Sequence, residues 1–289
     1  MNETLIEIED HQDKVSPELL AKEERLRLLF REMRAVIVAY SGGVDSSYVA
    51  YVATSELGAN AICVTGESPS LPESQRSEIA RVVNEFGFHH ERIQTEELDH
   101  PDYRANAGNR CYFCKDELYS KLEPLARSRE IKFIIDGSTT DDLDDYRPGR
   151  KAAREHSVRS PLIEVGMSKA DVRELSRRVN LPTWNKPASP CLSSRIAYGT
   201  TVTIERLRKV DRGEEILREF GFREFRVRHH DTLVRLEIAP EEMERVLNRE
   251  MVEQLAKRFR ELGFKYVTLD LQGYRSGSMN EVLISRKAD

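Results

Sequence analysis

The stretch 36-VIVAYSGGVDSSYVAYVA-53 carries the strongest structural signal in the sequence. It opens with a short run of apolar residues, passes through a loop with two adjacent glycines, and continues as a helical pattern. A continuous apolar run is typical of a strand buried on both faces of a parallel sheet. The stretch therefore predicts a strand, a glycine turn and a helix, which together direct backbone N–H groups at an anion.

The residue types in this loop suit a bound phosphate. Gly42 and Gly43 permit positive φ angles and a close approach of the phosphate to the backbone. Hydroxyl donors are added by Ser41, Ser46 and Ser47. Asp45 could help to hold Mg²⁺. The loop is neither a Walker A motif, since it lacks the lysine, nor GxGxxG. A plain polar turn is the alternative, and the strand-loop-helix context disfavours it.

The flanking sequence extends this unit into an α/β fold. Apolar runs in NAICVTG, KFIIDGST and, more weakly, HHERIQTEEL alternate with helical patterns. This alternation predicts a parallel, doubly wound sheet with helices on both faces. Ligands bind at the carboxyl ends of such strands, where the SGG loop, TGES and DGSTTDD would meet. The predicted nucleotide site comprises Ala39, Ser41, Gly42, Gly43, Val44, Asp45, Ser46, Ser47, Thr65 and Gly137.

The pattern changes after residue 203. A helical stretch, two strands around a turn near His230-Asp231, one long helix over 240–263 and a final strand in YVTLDLQG predict a small α+β domain. The predicted organisation is a tail over 1–16, a nucleotide domain over 17–185, a Pro- and Ser-rich junction over 186–203, and a C-terminal domain for substrate binding or oligomerisation over 204–289.

Composition limits the class of protein. The 289 residues are 39% hydrophobic and 33% charged, which indicates a soluble globular chain. The net charge of -5 gives no global attraction to nucleic acid or an anionic membrane. The acidic N-terminus does not have the pattern of a signal peptide, and no apolar run approaches the length of a membrane span. We therefore expect a cytoplasmic location.

The cysteines are the other candidates for chemistry. The chain has four, Cys63, Cys111, Cys114 and Cys191, which are too few for a disulfide scaffold of this size. Cys63 lies within an apolar strand and reads as an inert core thiol. Cys111 and Cys114 begin a predicted helix, whose dipole favours thiolate. C-x-x-C alone leaves open a redox pair, half of a zinc site or part of an iron–sulfur site. The acidic run Asp141, Asp142, Asp144 and Asp145 is either a Mg²⁺ site or a solvated turn.

SGGVDSS resembles the pyrophosphate loop of the PP-loop ATP pyrophosphatases, which have the adenine nucleotide alpha hydrolase-like fold and include GMP synthetase. The resemblance implies that ATP, with Mg²⁺, is cleaved between the α and β phosphates to place AMP on a substrate oxygen. GNRCYFCK, DGSTTDDLDDYRPGRKAARE, SPLIE and WNKPASPCLSSRIAYG together resemble the ATP-dependent sacrificial sulfur transferases of the LarE type over about residues 20–275.

That family makes the thiocarboxylate groups of the nickel-pincer nucleotide cofactor from pyridinium-3,5-biscarboxylic acid mononucleotide. The resemblance implies that a substrate carboxylate is adenylated and then attacked by Cys191, which would end as dehydroalanine. It implies Cys191 and Asp45 as catalytic residues and Arg195, Arg226 and Arg228 as substrate-binding residues. It also implies a small nucleotide as the partner and a homo-oligomer, up to a hexamer of two trimers.

The chain departs from the simplest form of that family, which lacks the C-x-x-C pair. A variant branch has three cysteines that hold a 4Fe–4S cluster, and Cys111, Cys114 and Cys191 match them. The sulfur would then come from a cluster-bound sulfide, which we prefer to Cys191 itself as the source. Two other interpretations stay open: a PP-loop tRNA thiolation enzyme, which the acidic balance disfavours, and a non-catalytic zinc or iron–sulfur protein, which the intact SGGVDSS disfavours.

Overall fold

The computed structural model describes residues 15–143, 148–187 and 189–275. Its strands are β1 Val36–Ala39, β2 Ala61–Glu67, β3 His89–Gln94, β4 Phe133–Ile135, β5 Phe225–His230, β6 Leu233–Ile238 and β7 Tyr266–Leu269. Its α-helices are α1 Pro17–Met33, α2 Val44–Leu57, α3 Glu73–Phe86, α4 Pro101–Arg104, α5 Arg110–Ser128, α6 Pro148–Glu155, α7 Pro161–Glu164, α8 Lys169–Arg178, α9 Ile204–Glu219, α10 Met243–Val246 and α11 Arg249–Glu261. None of these described helices combines the length and the apolar character needed to cross a membrane.

The central sheet has the order β3-β2-β1-β4, and every pairing in it is parallel. Successive residues of β1 face opposite sides of the sheet. Val36 and Val38 pack in a cluster with α1, α2, α3 and α8, whereas Ile37 and Ala39 pack with α5 and α6. The predicted doubly wound α/β fold is therefore confirmed, and β1 lies between β2 and β4, so that the loops after these three strands are neighbours.

Local sequence explains where the long helices begin and end. The Ser16 hydroxyl accepts a hydrogen bond from Leu19 N at 3.2 Å and caps α1. The α2 helix ends at Leu57, and Gly58 follows it as the C-cap. The α3 helix ends at Gly87 in the left-handed conformation, with φ 65, which glycine adopts at little cost. Cys63 lies in the core on β2, and burial raises its pKa to about 12, in agreement with an inert thiol.

The C-terminal sheet has the order β5-β6-β7, with β5 antiparallel and β7 parallel to β6. Together with α9 and α11, it confirms the predicted α+β unit. The prediction of one long helix over 240–263 is wrong, because Asn248 has extended backbone and its side chain accepts from Glu250 N at 2.9 Å. This cap separates α10 from α11. The predicted domain limits stay predictions, and residues 1–14 of the predicted tail lie outside the described residues.

A small apolar cluster joins the junction to α4 and α9. It contains Tyr103, Leu192, Ile196, Val202, Leu207 and Val210. The Tyr103 hydroxyl lies 2.7 Å from Ser193 Oγ, and the buried Asn106 amide donates to the carbonyls of Ile196, Ala197 and Thr200. The junction is therefore an ordered segment, held by the Asn106 amide at three backbone carbonyls and by the Tyr103 hydroxyl at the Ser193 side chain.

His156 clamps the end of α6 to α5, and this contact makes stability depend on pH. Its two ring nitrogens lie 2.7 Å from Glu123 Oε1 and 2.9 Å from Asp116 Oδ1. Burial opposes the charged ring, but the two carboxylates outweigh it and raise the pKa of His156 above 6.5. The stabilisation should be complete below pH 6.5 and lost as the pH rises through the raised pKa.

We expect His156→Gln to lower the free energy of unfolding by about 1 kcal/mol at pH 5.5 and by much less at pH 9. Urea unfolding of both proteins at the two pH values measures the difference. A deficit that stays the same at both pH values would show that the charge of the imidazole ring does not contribute.

Candidate active site

The phosphate loop follows β1 and has the geometry of an anion cradle. Gly42 has φ +70, and a Cβ built on it would lie 2.4 Å from Ile79 Cγ1, so no larger residue fits. Gly43 is the N-cap of α2, and no described side chain caps that helix. The first N–H groups of α2 are therefore open to a ligand in the loop.

The serines of the loop divide into two kinds. Ser46 Oγ donates to Gly43 O at 3.2 Å and lies 3.1 Å from Ser41 Oγ, while Ser47 Oγ lies 3.4 Å from Tyr40 OH. Both Ser46 and Ser47 are buried, whereas Ser41 is exposed. The buried pair shapes the loop from beneath, and Ser41 presents its hydroxyl on the open side.

Asp45 sits at the first turn of α2 with one free oxygen. Its Oδ2 lies 3.1 Å from Lys169 Nζ. Its Oδ1 is buried and has no hydrogen-bond partner among the described residues. Burial raises the pKa of the Asp45 carboxyl, and the Lys169 ammonium offsets part of that effect. An unpartnered carboxylate oxygen beside a phosphate loop fits the way Mg²⁺ is held, by one carboxylate together with substrate phosphates.

The other predicted nucleotide residues contribute through packing and backbone. Gly137 presses against α2, because a Cβ on it would lie 2.7 Å from Ser46 N. Thr65 Oγ1 donates to Tyr40 O at 2.8 Å and supports the loop from the neighbouring strand. The Ala39 and Val44 side chains are buried in the hydrophobic core. The nucleotide contacts predicted for these four residues stay predictions.

The acidic run after β4 has structural partners. Asp141 Oδ2 accepts from Lys169 N at 2.7 Å, and Asp142 Oδ2 accepts from Thr139 N at 2.8 Å. Both carboxylates thus bond to protein N–H groups, and Asp142 is buried, so the turn is not the solvated one expected here. The Mg²⁺ alternative stays a prediction. Asp144 and Asp145 lie outside the described residues.

Two lysines, Lys169 and Lys186, lie beside the phosphate loop, and neither is among the predicted nucleotide-binding residues. Lys169 reaches Asp45, 124 residues away in sequence, and Lys186 Nζ lies 3.3 Å from Gly42 O, 144 residues away. Lys186 also pairs with Glu78 of α3. No local spacing pattern links residues so far apart, and only the fold brings these ammonium groups to the loop.

Cys191 is carried to the same edge of the sheet as the phosphate loop. The Leu192 N–H donates to Ser70 O, in the loop after β2, at 2.8 Å. Arg110, the first residue of α5, donates to Ser193 O at 3.0 Å. The junction cysteine is thus held between the nucleotide domain and the helix that begins with the C-x-x-C pair, and it is partly exposed.

The three cysteines share one electrostatic environment. Cys111 is open to solvent, yet the surrounding protein desolvates its sulfur and raises its pKa, and negative charge at Cys191 adds to this. Burial, with charge at Cys191 and Glu97, raises the pKa of Cys114 as well. The expected bias of these two toward thiolate by the helix dipole is therefore wrong for this fold, because desolvation outweighs it.

A 4Fe–4S cluster would need the three cysteines to be placed together as ligands. Within residues 15–143, 148–187 and 189–275, no group of three or more His, Cys, Asp or Glu side chains is placed to hold a metal ion. Cys111, Cys114 and Cys191 therefore do not form a metal-ligand set in this conformation. The 4Fe–4S cluster predicted from them stays a prediction that the geometry does not support.

Arg195 is an internal strut of the cysteine loop. It is 1% exposed, and its Nε lies 2.8 Å from Glu214 Oε1. Its guanidinium also donates to Pro190 O and, at 3.1 Å, to Cys191 O. The structure thus gives Arg195 a role in positioning Cys191, and the substrate contact predicted for it stays a prediction.

Arg226 and Arg228 both lie on β5, and Arg228 contacts the residue before Arg195. Arg228 is buried, donates to Ser194 O at 3.2 Å and pairs with Glu237 at 2.8 Å. Arg226 stacks over the Tyr274 ring at 4.7 Å. Burial lowers the pKa of Arg226, and the charge of Arg195 adds to the effect. Arg195 and Arg228 are thus buried and paired with Glu214 and Glu237. The substrate contacts predicted for Arg226 and Arg228 stay predictions.

Glu214 holds the Arg195 guanidinium in place, and no motif in the sequence marks it. It lies on the buried face of α9, at helical spacing with Leu207, Val210 and Leu217. A glutamate embedded in an apolar stripe was the available signal, since such a residue needs a buried partner.

We expect Glu214→Ala to cost about 3–5 kcal/mol of folding free energy, because it leaves the Arg195 charge buried and uncompensated. Glu215→Ala is the matched control, since its neighbouring carboxylate is exposed and pairs with Arg212 at the surface; it should cost no more than about 1 kcal/mol. Urea unfolding measures both. Equal losses in the two variants would contradict a buried, stabilising Arg195–Glu214 pair.

Comparison with known proteins supplies the family. An uncharacterized protein of Synechocystis is 46% identical over 265 residues, or 92% of this chain and 99% of that protein. The pyridinium-3,5-bisthiocarboxylic acid mononucleotide synthase of Lactiplantibacillus plantarum is 34% identical over 266 residues, or 92% of this chain and 96% of that enzyme. A GMP synthase of Aeropyrum pernix is 24% identical over 207 residues, or 63% of this chain and 39% of that enzyme. No protein-family model matches the chain.

The partial match to a GMP synthase agrees with the resemblance of SGGVDSS to the PP-loop enzymes. The finer assignment to the three-cysteine branch stays a prediction. Identity of 34% along nearly the whole of both chains is decisive for the family itself. The chain therefore belongs to the family of the Lactiplantibacillus pyridinium-3,5-bisthiocarboxylic acid mononucleotide synthase, the LarE family.

Proposed function

We propose that the protein is an ATP-dependent sulfurtransferase that converts a carboxylate of pyridinium-3,5-biscarboxylic acid mononucleotide to a thiocarboxylate. The full-length similarity to the Lactiplantibacillus synthase carries this proposal. The geometry supports it, because Leu192 N–H bonds to Ser70 O and so brings the Cys191 segment to the strand edge that holds the phosphate loop. The product belongs to the biosynthesis of the nickel-pincer nucleotide cofactor.

The first half-reaction uses the phosphate loop. The N–H groups at the start of α2 and the Ser41 hydroxyl bind the phosphates of ATP, and Asp45 Oδ1 would hold Mg²⁺ together with phosphate oxygens. A substrate carboxylate oxygen attacks the α phosphorus, the bond to the β-phosphate oxygen breaks, and pyrophosphate leaves. The acyl adenylate that forms has an electrophilic carbonyl carbon.

The second half-reaction uses the cysteine loop. The Cys191 thiolate attacks the acyl carbon and AMP leaves, which gives a thioester between protein and substrate. Removal of the Cys191 Cα proton then breaks the Cβ–S bond, so the substrate keeps sulfur as a thiocarboxylate and the protein keeps dehydroalanine. Arg195 fixes the Cys191 carbonyl during these steps, and Arg226 and Arg228 supply cationic contacts for the substrate phosphate.

The sulfur could instead be a sulfide on a 4Fe–4S cluster held by Cys111, Cys114 and Cys191. Among the described residues, these thiols are not placed as a metal-ligand set, so the attack by Cys191 is proposed to proceed without a cluster. Anaerobic reconstitution with iron and sulfide, followed by intact-protein mass spectrometry after turnover, separates the two sources. A colourless protein that loses the mass of hydrogen sulfide at Cys191 supports self-sacrifice, whereas repeated turnover of an unmodified, coloured protein supports the cluster.

The function itself is tested by incubating the protein with ATP, Mg²⁺ and pyridinium-3,5-biscarboxylic acid mononucleotide. We expect a thiocarboxylate product by mass spectrometry, with AMP and pyrophosphate formed only when the substrate is present. Thiolation of tRNA uridine with no reaction of the pyridinium nucleotide would contradict the proposal and support the thiolation enzyme. Homo-oligomerisation is a separate prediction, which light scattering tests.

A further inference from the structure

Lys186 is a cation beside the phosphate loop that has no role in the two half-reactions. It is the first residue of the junction, and its ammonium group lies 3.3 Å from Gly42 O while it pairs with Glu78. Its side chain is only 15% exposed. The backbone beneath it is fixed, because the Arg173 guanidinium donates to Lys186 O at 2.8 Å and to Trp184 O at 3.0 Å.

This placement matters because the loop itself contains no lysine. ATP and pyrophosphate carry several negative charges, and the backbone N–H groups of a glycine loop supply only partial positive charge. Lys169 is already paired with Asp45. Lys186 Nζ, on a flexible four-carbon stem, needs only to leave Glu78 to reach a phosphate oxygen above Gly42.

We propose that Lys186 binds the β and γ phosphates of ATP and the departing pyrophosphate, exchanging the Glu78 carboxylate for phosphate oxygens. The inference rests on the proposed function, since it names a further residue of the same site. Glu78 has two effects on Lys186. It neutralises the ammonium group when the phosphate loop is empty, and it competes with phosphate for that group when ATP is bound.

The position of Lys186 in the chain gives the contact a second consequence. Cys191 follows five residues later, and the segment is anchored at both ends, by Arg173 on Lys186 O and by Ser70 on Leu192 N–H. The cation that meets the leaving group and the thiol that meets the acyl carbon thus belong to one short segment. Release of pyrophosphate frees Lys186 just before Cys191 must act.

The test is calorimetric titration of the purified full-length protein with inorganic pyrophosphate and, separately, with AMP. We expect Lys186→Met to weaken pyrophosphate binding about tenfold or more, because a charge-assisted hydrogen bond is lost. AMP binding should change less than about twofold, since AMP lacks the β and γ phosphates. Lys186→Arg should restore most of the affinity, and Glu78→Gln should tighten pyrophosphate binding.

Lys22→Met is the matched control, because Lys22 is a similarly shielded lysine that pairs with Asp171 at 2.8 Å away from the loop; it should bind both ligands like the wild type. Unchanged pyrophosphate affinity in Lys186→Met, or an equal loss of AMP and pyrophosphate binding, overturns the inference. Wild-type binding of pyrophosphate that Lys186→Met leaves unchanged refutes this inference alone, whereas a wild type that binds neither AMP nor pyrophosphate refutes the proposed function as well.

Discussion

Replacing Gly137 by alanine should abolish ATP-dependent pyrophosphate release, with a fall of about 100-fold or more. A Cβ at residue 137 would lie 2.7 Å from Ser46 N and 2.9 Å from Asp45 C, both backbone atoms of the first turn of α2. No side-chain rotation can relieve such a contact, so the turn that binds phosphate must move. The N–H groups and Asp45 would then miss the positions that the reaction needs.

The matched control for this variant is Gly213→Ala, whose Cβ would lie 2.9 Å from Phe259 Cε1 in the C-terminal core. Each substitution should cost about 1–3 kcal/mol of stability by overpacking. Only Gly137→Ala should stop pyrophosphate release from folded protein at matched stability, as measured by a coupled pyrophosphate assay and urea unfolding. Equal pyrophosphate release in the two variants would contradict the proposal that the phosphate loop takes part in the reaction.

Replacing Cys191 by alanine should separate the two half-reactions. Activation needs only the phosphate loop, so pyrophosphate should still be released in the first turnover, while thiocarboxylate should fall by about 10³-fold or more. The experiment compares burst pyrophosphate and thiocarboxylate by rapid quench and mass spectrometry. Cys63→Ala is the control, because Cys63 is buried in the core of β2 far from solvent.

Thiocarboxylate formation by Cys191→Ala at the wild-type rate would refute the role proposed for this thiol. Loss of pyrophosphate release together with thiocarboxylate would indicate that Cys191 also shapes the nucleotide site. The substitution would then act through the Leu192–Ser70 hydrogen bond, which joins the cysteine loop to the strand edge.

The sequence was most informative where chemistry depends on contiguous residues. The apolar run of β1, the SGG turn and the helical pattern that follows are local, so the α/β sheet and the phosphate loop could be predicted. Gly58 and Gly87 follow α2 and α3 directly, and a glycine at the end of a helical pattern is likewise a local signal. The long C-terminal helix was predicted wrongly, because periodicity continued through Asn248 while a single side-chain cap broke the backbone.

The parts that could not be predicted depend on contacts between distant residues. Lys169 and Lys186 meet the loop across 124 and 144 residues. The Arg195–Glu214 pair forms only when α9 packs beneath the junction. The electrostatics of Cys111 and Cys114 depended on burial, which the C-x-x-C spacing does not reveal. The spacing of residues in the sequence identifies candidate reactive groups, but their contacts with distant residues depend on the fold.

In the proposed mechanism, a substrate carboxylate is adenylated before it receives sulfur. The most direct test is a reaction with pyridinium-3,5-biscarboxylic acid mononucleotide labelled with ¹⁸O in its carboxylates. Because the attacking carboxylate oxygen stays on the α phosphorus when AMP leaves, we predict one ¹⁸O atom in AMP for each thiocarboxylate formed. Thiocarboxylate accompanied by unlabelled AMP, or by ADP and phosphate, would contradict the account.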